Sequence, residues 1–336
     1  MSASPTRSNV GSNRANSAAV QAWQSLQSFH PKQEILPFIY SITERPVEVF
    51  IGVWHPIAHF WCRALRQAGI GYSCFIYGQE LLIARYDTMA AKRAEDLRQA
   101  KRIYACSQAT AKLAQSAIDP SLTIQTIYPG VAPLTADQSQ RDLEQQAAAY
   151  RKELGLGSGP VILSLCRLTP RKGINLVIES LKPLIQEFPT LTYLIVGHGE
   201  DRVKLEQQAI DLGVMDHVRF LGRVCHDTKA RLLTLCDLFV MPIRNDIQTD
   251  WEGFGITFLE AALAGKAAIG GRTGGVIEAV EQGVTGILVD TADAQETQAA
   301  IAQLLRNPDL RQHMGRAAQS RVRRFTWHDS AVQLLK

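Results

Sequence analysis

The sequence predicts an α/β protein built from two doubly wound parallel sheets. Short apolar runs alternate with amphipathic helical segments along the chain, and several runs end in glycine-marked turns that lead into helices. The length of 336 residues corresponds to two domains of about 150 residues each. We therefore expect two lobes that face a central cleft.

In the second half of the chain, six short apolar runs have the length and composition of buried strands. Helical spacing of apolar residues after Gly173 predicts a helix that packs on this sheet. The predicted strands are Val161–Cys166, Tyr193–Val196, Val218–Leu221, Leu238–Met241, Ala267–Ile269 and Gly286–Val289.

The first half shows weaker strand patterns and predicts a second α/β unit. Its candidate strands are Ile35–Tyr40, Val49–Trp54, Ser73–Tyr77, Arg102–Cys106 and Thr123–Tyr128. A doubly wound domain should open with a buried strand, but Met1–Val10 is too polar to be one. We expect the first strand to be missing from this chain or degenerate.

A polar helix at Arg141–Leu154, closed by three glycines, marks the boundary between the two units. We predict a first domain over residues 1–135, a linker helix over 136–159 and a second domain over 160–325. Residues 326–336 would begin a helix that crosses back to the first domain.

The composition excludes several classes of protein. With 46% hydrophobic and 20% charged residues, the chain is neither disordered, collagen-like nor a disulfide scaffold. No apolar run reaches the roughly 18 residues that a membrane span needs. The first 30 residues lack the apolar core of a secretory signal, so we expect a cytoplasmic protein.

The charge and the cysteines exclude two kinds of site. The 36 basic and 32 acidic residues leave a net charge of +4, too small for a nucleic-acid-binding surface. The six cysteines are scattered without a C-x2-C pair and are expected to be reduced packing residues, not metal ligands. An anionic small molecule remains a suitable ligand.

The segment Asp250–Gly265, DWEGFGITFLEAALAG, carries the strongest functional signal. Glycines follow Glu252, and an apolar helix begins near Ile256, so free amides of its first turn could bind a phosphate or sugar hydroxyls. Glu260 lies about one turn inside this helix, where its carboxylate could accept from two vicinal hydroxyls. The alternative is an acid favoured by the helix dipole together with an amphipathic glutamate.

The segment Ser164–Gly173, SLCRLTPRKG, follows a predicted strand and supplies two cations. Arg167 lies at the carboxyl end of the strand and Lys172 five residues later, where α/β sheets bind ligands. Two converging cations suit a diphosphate, whereas a solvated basic turn is the alternative. Finding both segments in one domain favours the binding site.

Further glycine-marked turns follow other strands. Val196–Glu200 contains a G-x-G that lacks the third glycine of a dinucleotide fingerprint, so it does not indicate NAD. Similar turns occur at Gly222 and at Gly274-Gly275. Several such turns at one sheet edge would line a cleft.

These motifs, in the order RLTPRKG, IVGHGE, FLGRV and EGFGITFLEAALAGKAAIGGRTGGVIEAVEQGVTGILVD, resemble the family-4 retaining glycosyltransferases of the GT-B fold, also called glycosyl transferases group 1. The resemblance covers roughly Pro160–Trp327. Its context is most similar to mannosyl- and glucosyltransferases of glycolipid or polysaccharide synthesis. The first half resembles the family only in outline.

The resemblance implies a hexosyltransferase that retains anomeric configuration and uses a GDP- or UDP-hexose donor without a metal ion or other cofactor. Arg167 and Lys172 would bind the diphosphate, Glu252 would face the transferred sugar, and Glu260 would hold the ribose hydroxyls. The remaining donor-binding residues would be Gly197, Arg223, Val224, Gly253, Phe254, Gly255 and Ile256.

The first domain departs from the family pattern at Tyr77, where relatives commonly carry a histidine before glycine. Tyrosine is a poor general base at neutral pH. His55 could replace it as a catalytic residue, with neighbouring His59 as another candidate, although a histidine beside Pro56 is more often a turn residue. Tyr77, Glu80 and Arg14 are the candidate acceptor-side residues.

The acceptor is expected to be a glycan or a lipid-linked molecule. A basic segment in the first domain could dock to an anionic membrane, and a solvated helix face with mixed charges is the alternative. A catalytically weakened binding or partner subunit of the same fold, or a nucleotide-sugar epimerase, are the rival functions. The basic residues are Arg85, Lys92, Arg93, Arg98, Lys101 and Arg102.

Overall fold

The structure, a computed structural model, describes residues 49–52, 56–82, 90–135, 139–245 and 250–335. The strands in this part of the chain form two separate sheets, and every pair of neighbouring strands is parallel. The predicted strand Ile35–Tyr40 and the polar start of the chain lie outside the described residues.

The first sheet has four described strands in sequence order: β1 (Val49–Ile51), β2 (Tyr72–Ile76), β3 (Arg102–Ala105) and β4 (Ile124–Thr126). The helices between them are α1 (Pro56–Gln67), α2 (Gln79–Leu82), α3 (Ala90–Arg98) and α4 (Gln108–Ala117). Strands β2, β3 and β4 confirm the predicted runs within two residues at each end. This sheet and its helices form the first lobe.

The second sheet begins after α5 (Gln140–Glu153), which is the predicted polar helix. Its strands are β5 (Val161–Leu165), β6 (Thr192–Val196), β7 (Val218–Gly222), β8 (Leu238–Met241), β9 (Ala268–Gly271) and β10 (Gly286–Val289). They lie in the order β10-β9-β8-β5-β6-β7, so the chain reverses direction across the sheet at β5 and β8. All six predicted strands are confirmed within two residues.

Helices cover both faces of the second sheet, and together they form the second lobe. These helices are α6 (Ile174–Glu187), α7 (Arg202–Asp211), α8 (His226–Leu235), α9 (Ile256–Leu263), α10 (Val276–Ala279), α11 (Ala294–Arg306) and α12 (Pro308–Val322). Helix α13 (Trp327–Leu334) follows α12 in the chain. The predicted apolar face of α6 is buried, including Val177, Ile178 and Leu181.

One apolar core runs across both lobes. It contains Phe75 and Tyr104 of the first sheet together with Phe239 and Phe258 of the second lobe. Helix α5 joins this core through Leu143 and Ala147 and packs on α8. The predicted linker helix is therefore anchored to the second lobe by buried apolar area.

The start of α13 contacts the segment that follows β4. The Val131 amide donates to the Phe325 carbonyl at 3.0 Å, and the Ser330 hydroxyl donates to the Tyr128 carbonyl at 2.7 Å. The Tyr128 ring lies 5.6 Å from the Phe325 ring. The chain thus returns to the first lobe in this helix.

The basic segment of the first lobe is not a uniformly exposed face. Arg93 is buried and donates to the Glu80 carbonyl, and Arg98 lies 2.6 Å from Asp119. Lys92 and Lys101 are exposed, and Arg85 lies outside the described residues. The expectation that Arg93 belongs to a membrane-facing surface is wrong, because its position in α3 faces the interior. Within the described ranges, every helix is too short or too polar to cross a lipid bilayer.

Candidate active site

A tight turn after β5 places two consecutive cations at the edge of the second sheet. Pro170 occupies the first position of the turn, and Gly173 closes it in the left-handed conformation with φ 69°. A Cβ atom at Gly173 would collide with the Pro242 carbonyl, so a glycine is needed here. The fixed turn directs Arg171 and Lys172 towards Glu252.

Arg171, Lys172 and Glu252 form the centre of a charged cluster. The Arg171 guanidinium and the Lys172 ammonium both contact the same carboxylate oxygen, Oε2 of Glu252. Arg171 Nε lies 2.8 Å from Oδ1 of Asp250. Only 12% of the Lys172 side chain and 15% of the Glu252 side chain are exposed. Partial burial strengthens the attraction between these charges.

The backbone of Glu252 is held as firmly as its side chain. Its amide donates to Oδ1 of Asn245 at 2.7 Å, and its carbonyl accepts from the Gly275 amide at 3.3 Å. A Cβ atom at Gly275 would collide with the Gly253 carbonyl, and one at Gly274 with the Asn245 amide group. The loop 250–255 therefore has little freedom to move.

Helix α9 begins at this loop and offers free amides. Gly255 has φ 90° and starts the helix without a side-chain cap. No acceptor among the described residues bonds the amides of Phe254, Gly255 or Ile256. Unbonded amides at a helix N-terminus attract anions, as the sequence predicted for this segment.

The Phe254 side chain has a different role from its amide. It is buried between Tyr128 and Phe325, with ring centroids 5.5 and 5.6 Å away. Ile256 is exposed at the first helical position. The phenyl ring thus anchors the loop while its backbone stays at the site.

Glu260 lies in α9 and forms an ion pair with Lys229 of α8. Oε1 of Glu260 contacts the ammonium group of Lys229 from α8, and both side chains are mostly buried. A carboxylate held through one oxygen keeps the other as an acceptor. The arrangement is compatible with the predicted hold on two vicinal hydroxyls.

The structure does not bring Arg167 into contact with Glu252. Its side chain is 75% exposed, and Nη2 lies 3.6 Å from Oε2 of Glu200. The preceding Cys166 does lie near the cluster: burial raises the pKa of its thiol to about 12, and the Lys172 charge acts in the opposite direction. Arg167 is therefore a solvent-facing cation beside a buried charged cluster.

Three other predicted donor residues lie on neighbouring loops after strands. Gly197 has φ 135° and approaches the Cys166 carbonyl so closely that a Cβ atom would collide with it. Arg223 is exposed, and Val224 packs partly against the core. These loops follow β5, β6 and β7, which are neighbours in the sheet, so they lie at one edge.

The first lobe contributes Tyr77 and Glu80. Burial raises the pKa of the Tyr77 hydroxyl, with further contributions from Cys106 and Glu80. Tyr77 therefore stays protonated at neutral pH. Glu80 is buried, and its carboxylate accepts from the Tyr77 amide, so it fixes the loop instead of facing solvent.

Two predicted residues, Arg14 and His55, lie outside the described residues. His59 is described and is buried, with Nδ1 2.9 Å from Oδ2 of Asp96. This hydrogen bond ties α1 to α3, and the suggestion that His59 compensates for Tyr77 stays a prediction.

Sequence reasoning missed Arg171, Asp250 and Lys229. The TPRKG turn gave a signal for Arg171, since a proline and a glycine bracket both cations. Asp250 precedes Glu252 by two residues and could have been grouped with it. Lys229 carries no such signal, because only packing of α8 against α9 brings it to Glu260.

Comparisons with known proteins identify a family and a fold. Residues 146–321 match the family model described as glycosyl transferases group 1. The chain is 36% identical over 205 residues to a GDP-mannose-dependent alpha-(1-6)-phosphatidylinositol monomannoside mannosyltransferase of Mycolicibacterium smegmatis, over 61% of this chain and 53% of that protein. It is 27% identical over 274 residues to a D-inositol 3-phosphate glycosyltransferase of Saccharomonospora viridis, over 77% of this chain and 57% of that protein.

Solved structures share the fold. The sucrose-phosphate synthase of Thermosynechococcus elongatus superposes with a TM-score of 0.73 at 20% identity, over 89% of this chain and 74% of that one. Anabaena HepE in complex with UDP and glucose gives a TM-score of 0.74 at 24% identity, over 90% and 80%. The fold is therefore GT-B, as expected. The chain spans about half the length of the curated relatives described above.

Proposed function

Since the chain belongs to the group 1 glycosyl transferases, we propose that it transfers a hexose from a nucleotide-diphosphate sugar to a lipid-linked acceptor, with retention of anomeric configuration and without a metal ion. One observation carries the proposal: Lys172 and Arg171 form ion pairs with Glu252, which lies beside the free amides at the start of α9. Cations, amides and a carboxylate meet at one sheet edge.

The proposed chemistry follows from the charges of the transition state. Breaking a glycosyl phosphate bond develops positive charge on the sugar and negative charge on the leaving diphosphate. An ammonium group has three N–H donors, so Lys172 can bind a phosphate oxygen while it contacts Glu252. Helix amides and Arg167 would add further stabilisation of the diphosphate, and these groups take the place of a divalent ion.

Glu252 would face the transferred sugar, and Glu260 would hold the ribose. In this arrangement the acceptor attacks on the face from which the diphosphate leaves, which retains the configuration. Tyr77 contributes hydrogen bonding and not general-base catalysis, because the pKa of its hydroxyl is raised.

We propose GDP-mannose as the donor and a phosphatidylinositol-type glycolipid as the acceptor. Curated relatives from Mycolicibacterium smegmatis and Corynebacterium glutamicum carry names that state this donor and this class of acceptor. Since the chain spans about half of those proteins, the substrates are assigned to it only as a proposal. A GDP-hexose and a UDP-hexose differ in the base, which Arg223 and Val224 would contact.

Donor binding is tested by calorimetric titration of GDP-mannose and UDP-glucose into the wild type and into Arg167→Ala combined with Lys172→Ala. Loss of two cations from a diphosphate should weaken binding by about 100-fold. Lys204→Ala, which removes an exposed cation from α7, is the matched control. Equal affinity of the wild type and the double variant would reject the donor site.

A binding or partner subunit without turnover is the second candidate, and Tyr77 in place of the family histidine favours it. Incubation of the purified protein with radiolabelled GDP-mannose and phosphatidylinositol monomannoside separates the two. Transfer that disappears in Glu252→Ala supports the enzyme. Donor binding without any transfer or hydrolysis supports the second candidate.

Peripheral contact with an anionic membrane would bring the enzyme to a lipid acceptor. Lys92 and Lys101 are exposed basic residues of the α3 region, as are Arg98 and Arg102, and the two lysines carry this proposal. Each such charge adds about 1 kcal/mol near an anionic surface. The affinity for phosphatidylserine vesicles, measured by sedimentation, should fall about 30-fold in the double variant Lys92→Gln with Lys101→Gln, and an unchanged affinity would refute the contact.

A further inference from the structure

The first turn of α4, in the first lobe, is completed by a side chain from the second lobe. Ser107 caps the helix by accepting from the Thr110 amide at 3.0 Å. The amides of Gln108 and Ala109 instead donate to the two carboxylate oxygens of Glu278, each at 2.9 Å. A carboxylate at a helix N-terminus is stabilised by the helix dipole and by charge-assisted hydrogen bonds.

Glu278 is tied to the rest of the second lobe in two ways. It lies in α10, whose preceding residue Gly275 is packed against the backbone of Gly253 and Phe254 with no room for a Cβ atom. Its own carbonyl accepts from Nη2 of Arg321 at 2.7 Å. Glu278 is therefore linked through the start of α10 to the loop 250–255.

A second contact to the same helical turn comes from Trp251 of the loop itself. The Trp251 indole Nε1 donates to the Thr110 hydroxyl at 3.2 Å, and the Trp251 amide donates to Oε1 of Gln79 at 2.9 Å. The indole ring fills the space where a side chain at Gly78 would lie. Trp251 of the loop and Glu278 of α10 thus both bond the first turn of α4.

Tyr128 adds to the contact between Glu278 and the first turn of α4. Burial, together with the Glu278 carboxylate, raises the pKa of the Tyr128 hydroxyl to about 12. The protonated hydroxyl can donate to Glu278. The Tyr128 ring also packs on Phe254 of the loop.

We propose that Glu278 is a positioning residue that docks the second lobe on the first turn of α4 and thereby sets the geometry of the loop 250–255. The inference rests on the proposed function, because the loop matters only if it binds a donor. Coupling between two sites is reciprocal. A nucleotide diphosphate that binds the loop 250–255 more tightly when Glu278 is docked must therefore strengthen the docking of Glu278 on Gln108 and Ala109.

Hydrogen exchange of the amides of Gln108 and Ala109 measures the docking directly. We expect GDP or UDP to slow their exchange in the wild-type protein by about tenfold or more, because exchange requires the contact with Glu278 to open. In Glu278→Gln, one amide loses its acceptor, and the slowing should disappear. Because the coupling is reciprocal, the dissociation constant for the nucleotide should rise by up to about tenfold.

Glu281→Gln is the matched control, since Glu281 lies 3.4 Å from Arg321 and makes no described bond to α4. It should behave like the wild type. A second pair of variants tests the contact between Trp251 and Thr110. Thr110→Val removes the acceptor for the Trp251 indole, and Thr110→Ser keeps it. The transfer rate at saturating donor should fall about tenfold in the first and recover in the second.

The outcomes separate this inference from the proposed function. Nucleotide binding without any change at α4 in the wild type, or slowing that persists in Glu278→Gln, would overturn the inference and leave the function intact. If neither GDP nor UDP binds, the donor site itself fails, and the inference fails with it.

Discussion

The two lobes use their charged residues differently. In the first lobe, Asp96 is completely buried and accepts from Arg66 and His59, so these charges hold α1 and α3 together. In the second lobe, Lys172, Arg171 and Glu252 meet on loops at the carboxyl edge of the sheet, partly open to solvent. The first arrangement stabilises a fold, and the second is available to a ligand.

The comparison indicates where binding chemistry is concentrated. A diphosphate is the same for every donor in a family, and it needs cations and amides at fixed positions. Acceptors vary, and the first lobe presents the partly exposed side chain of Tyr77. Substitutions in the first lobe should therefore change stability, and substitutions at the edge of the second sheet should change binding and rate.

The largest expected effect is on folding of the first lobe. Asp96→Asn removes a buried anion from two partners and should lower the free energy of unfolding by about 3 kcal/mol, without changing nucleotide affinity. Urea denaturation measures it. Glu95→Gln is the control, because Glu95 is exposed and its contact with Arg66 should contribute less than about 0.5 kcal/mol. Similar losses of unfolding free energy in the two variants would contradict the expectation that the buried Asp96 stabilises the lobe more than the exposed Glu95.

Gly275→Ala should affect the second lobe by disturbing the loop 250–255. Its added methyl group collides with the Gly253 carbonyl, and we expect the transfer rate to fall about 100-fold, because displacements near 1 Å have effects of this size. Gly157→Ala, at a glycine with open space around it, should leave the rate unchanged. The measurement is the initial rate of transfer from GDP-mannose. Equal rates in both variants would show that the close approach of Gly275 to the Gly253 carbonyl does not affect transfer.

Lys229→Met should have a smaller effect, confined to donor binding. Without the ammonium group, Glu260 loses its partner, and the KM for the donor should rise about tenfold while kcat changes less than about threefold. Lys204→Met is the control on the surface of α7. A fall in kcat with an unchanged KM would show that Lys229 acts on the transfer step and not on donor binding.

The smallest effect is a pH dependence in the first lobe. Burial raises the pKa of Glu80 above its usual value, so the folded protein binds this proton more tightly than the unfolded chain. Stability should therefore decline as pH rises from about 4.5 through the raised pKa. Glu80→Gln keeps an acceptor for the Tyr77 amide and should flatten this decline in denaturation midpoints measured from pH 4 to 8. A slope equal to that of the wild type would refute the assignment.

The sequence predicted the second lobe better than the first. Strands such as β6 and β8 are buried on both faces and are read as continuous apolar runs. Strands β1 and β4 have only three residues with mixed burial, so their patterns are weak. The difference follows from how much of each strand is covered.

The candidate site was predicted in part. Glu252, Lys172 and the helix start near Ile256 lie together, as their motifs indicated. Arg167 and Lys172 were expected to converge, but only Lys172 contacts Glu252. Residues that act through packing of distant elements, such as Lys229, Trp251 and Glu278, leave no periodic pattern in the sequence. Arg14 and His55 stay predictions.

The fit of Trp251 over Gly78 limits how such enzymes can be recombined. A chimera that joins this second lobe to another first lobe must bring a glycine to the position of Gly78, or the indole ring will have no space. It must also supply a helix whose first turn can receive Glu278. Shuffling of acceptor specificity by exchange of halves is thus restricted to partners that carry both features.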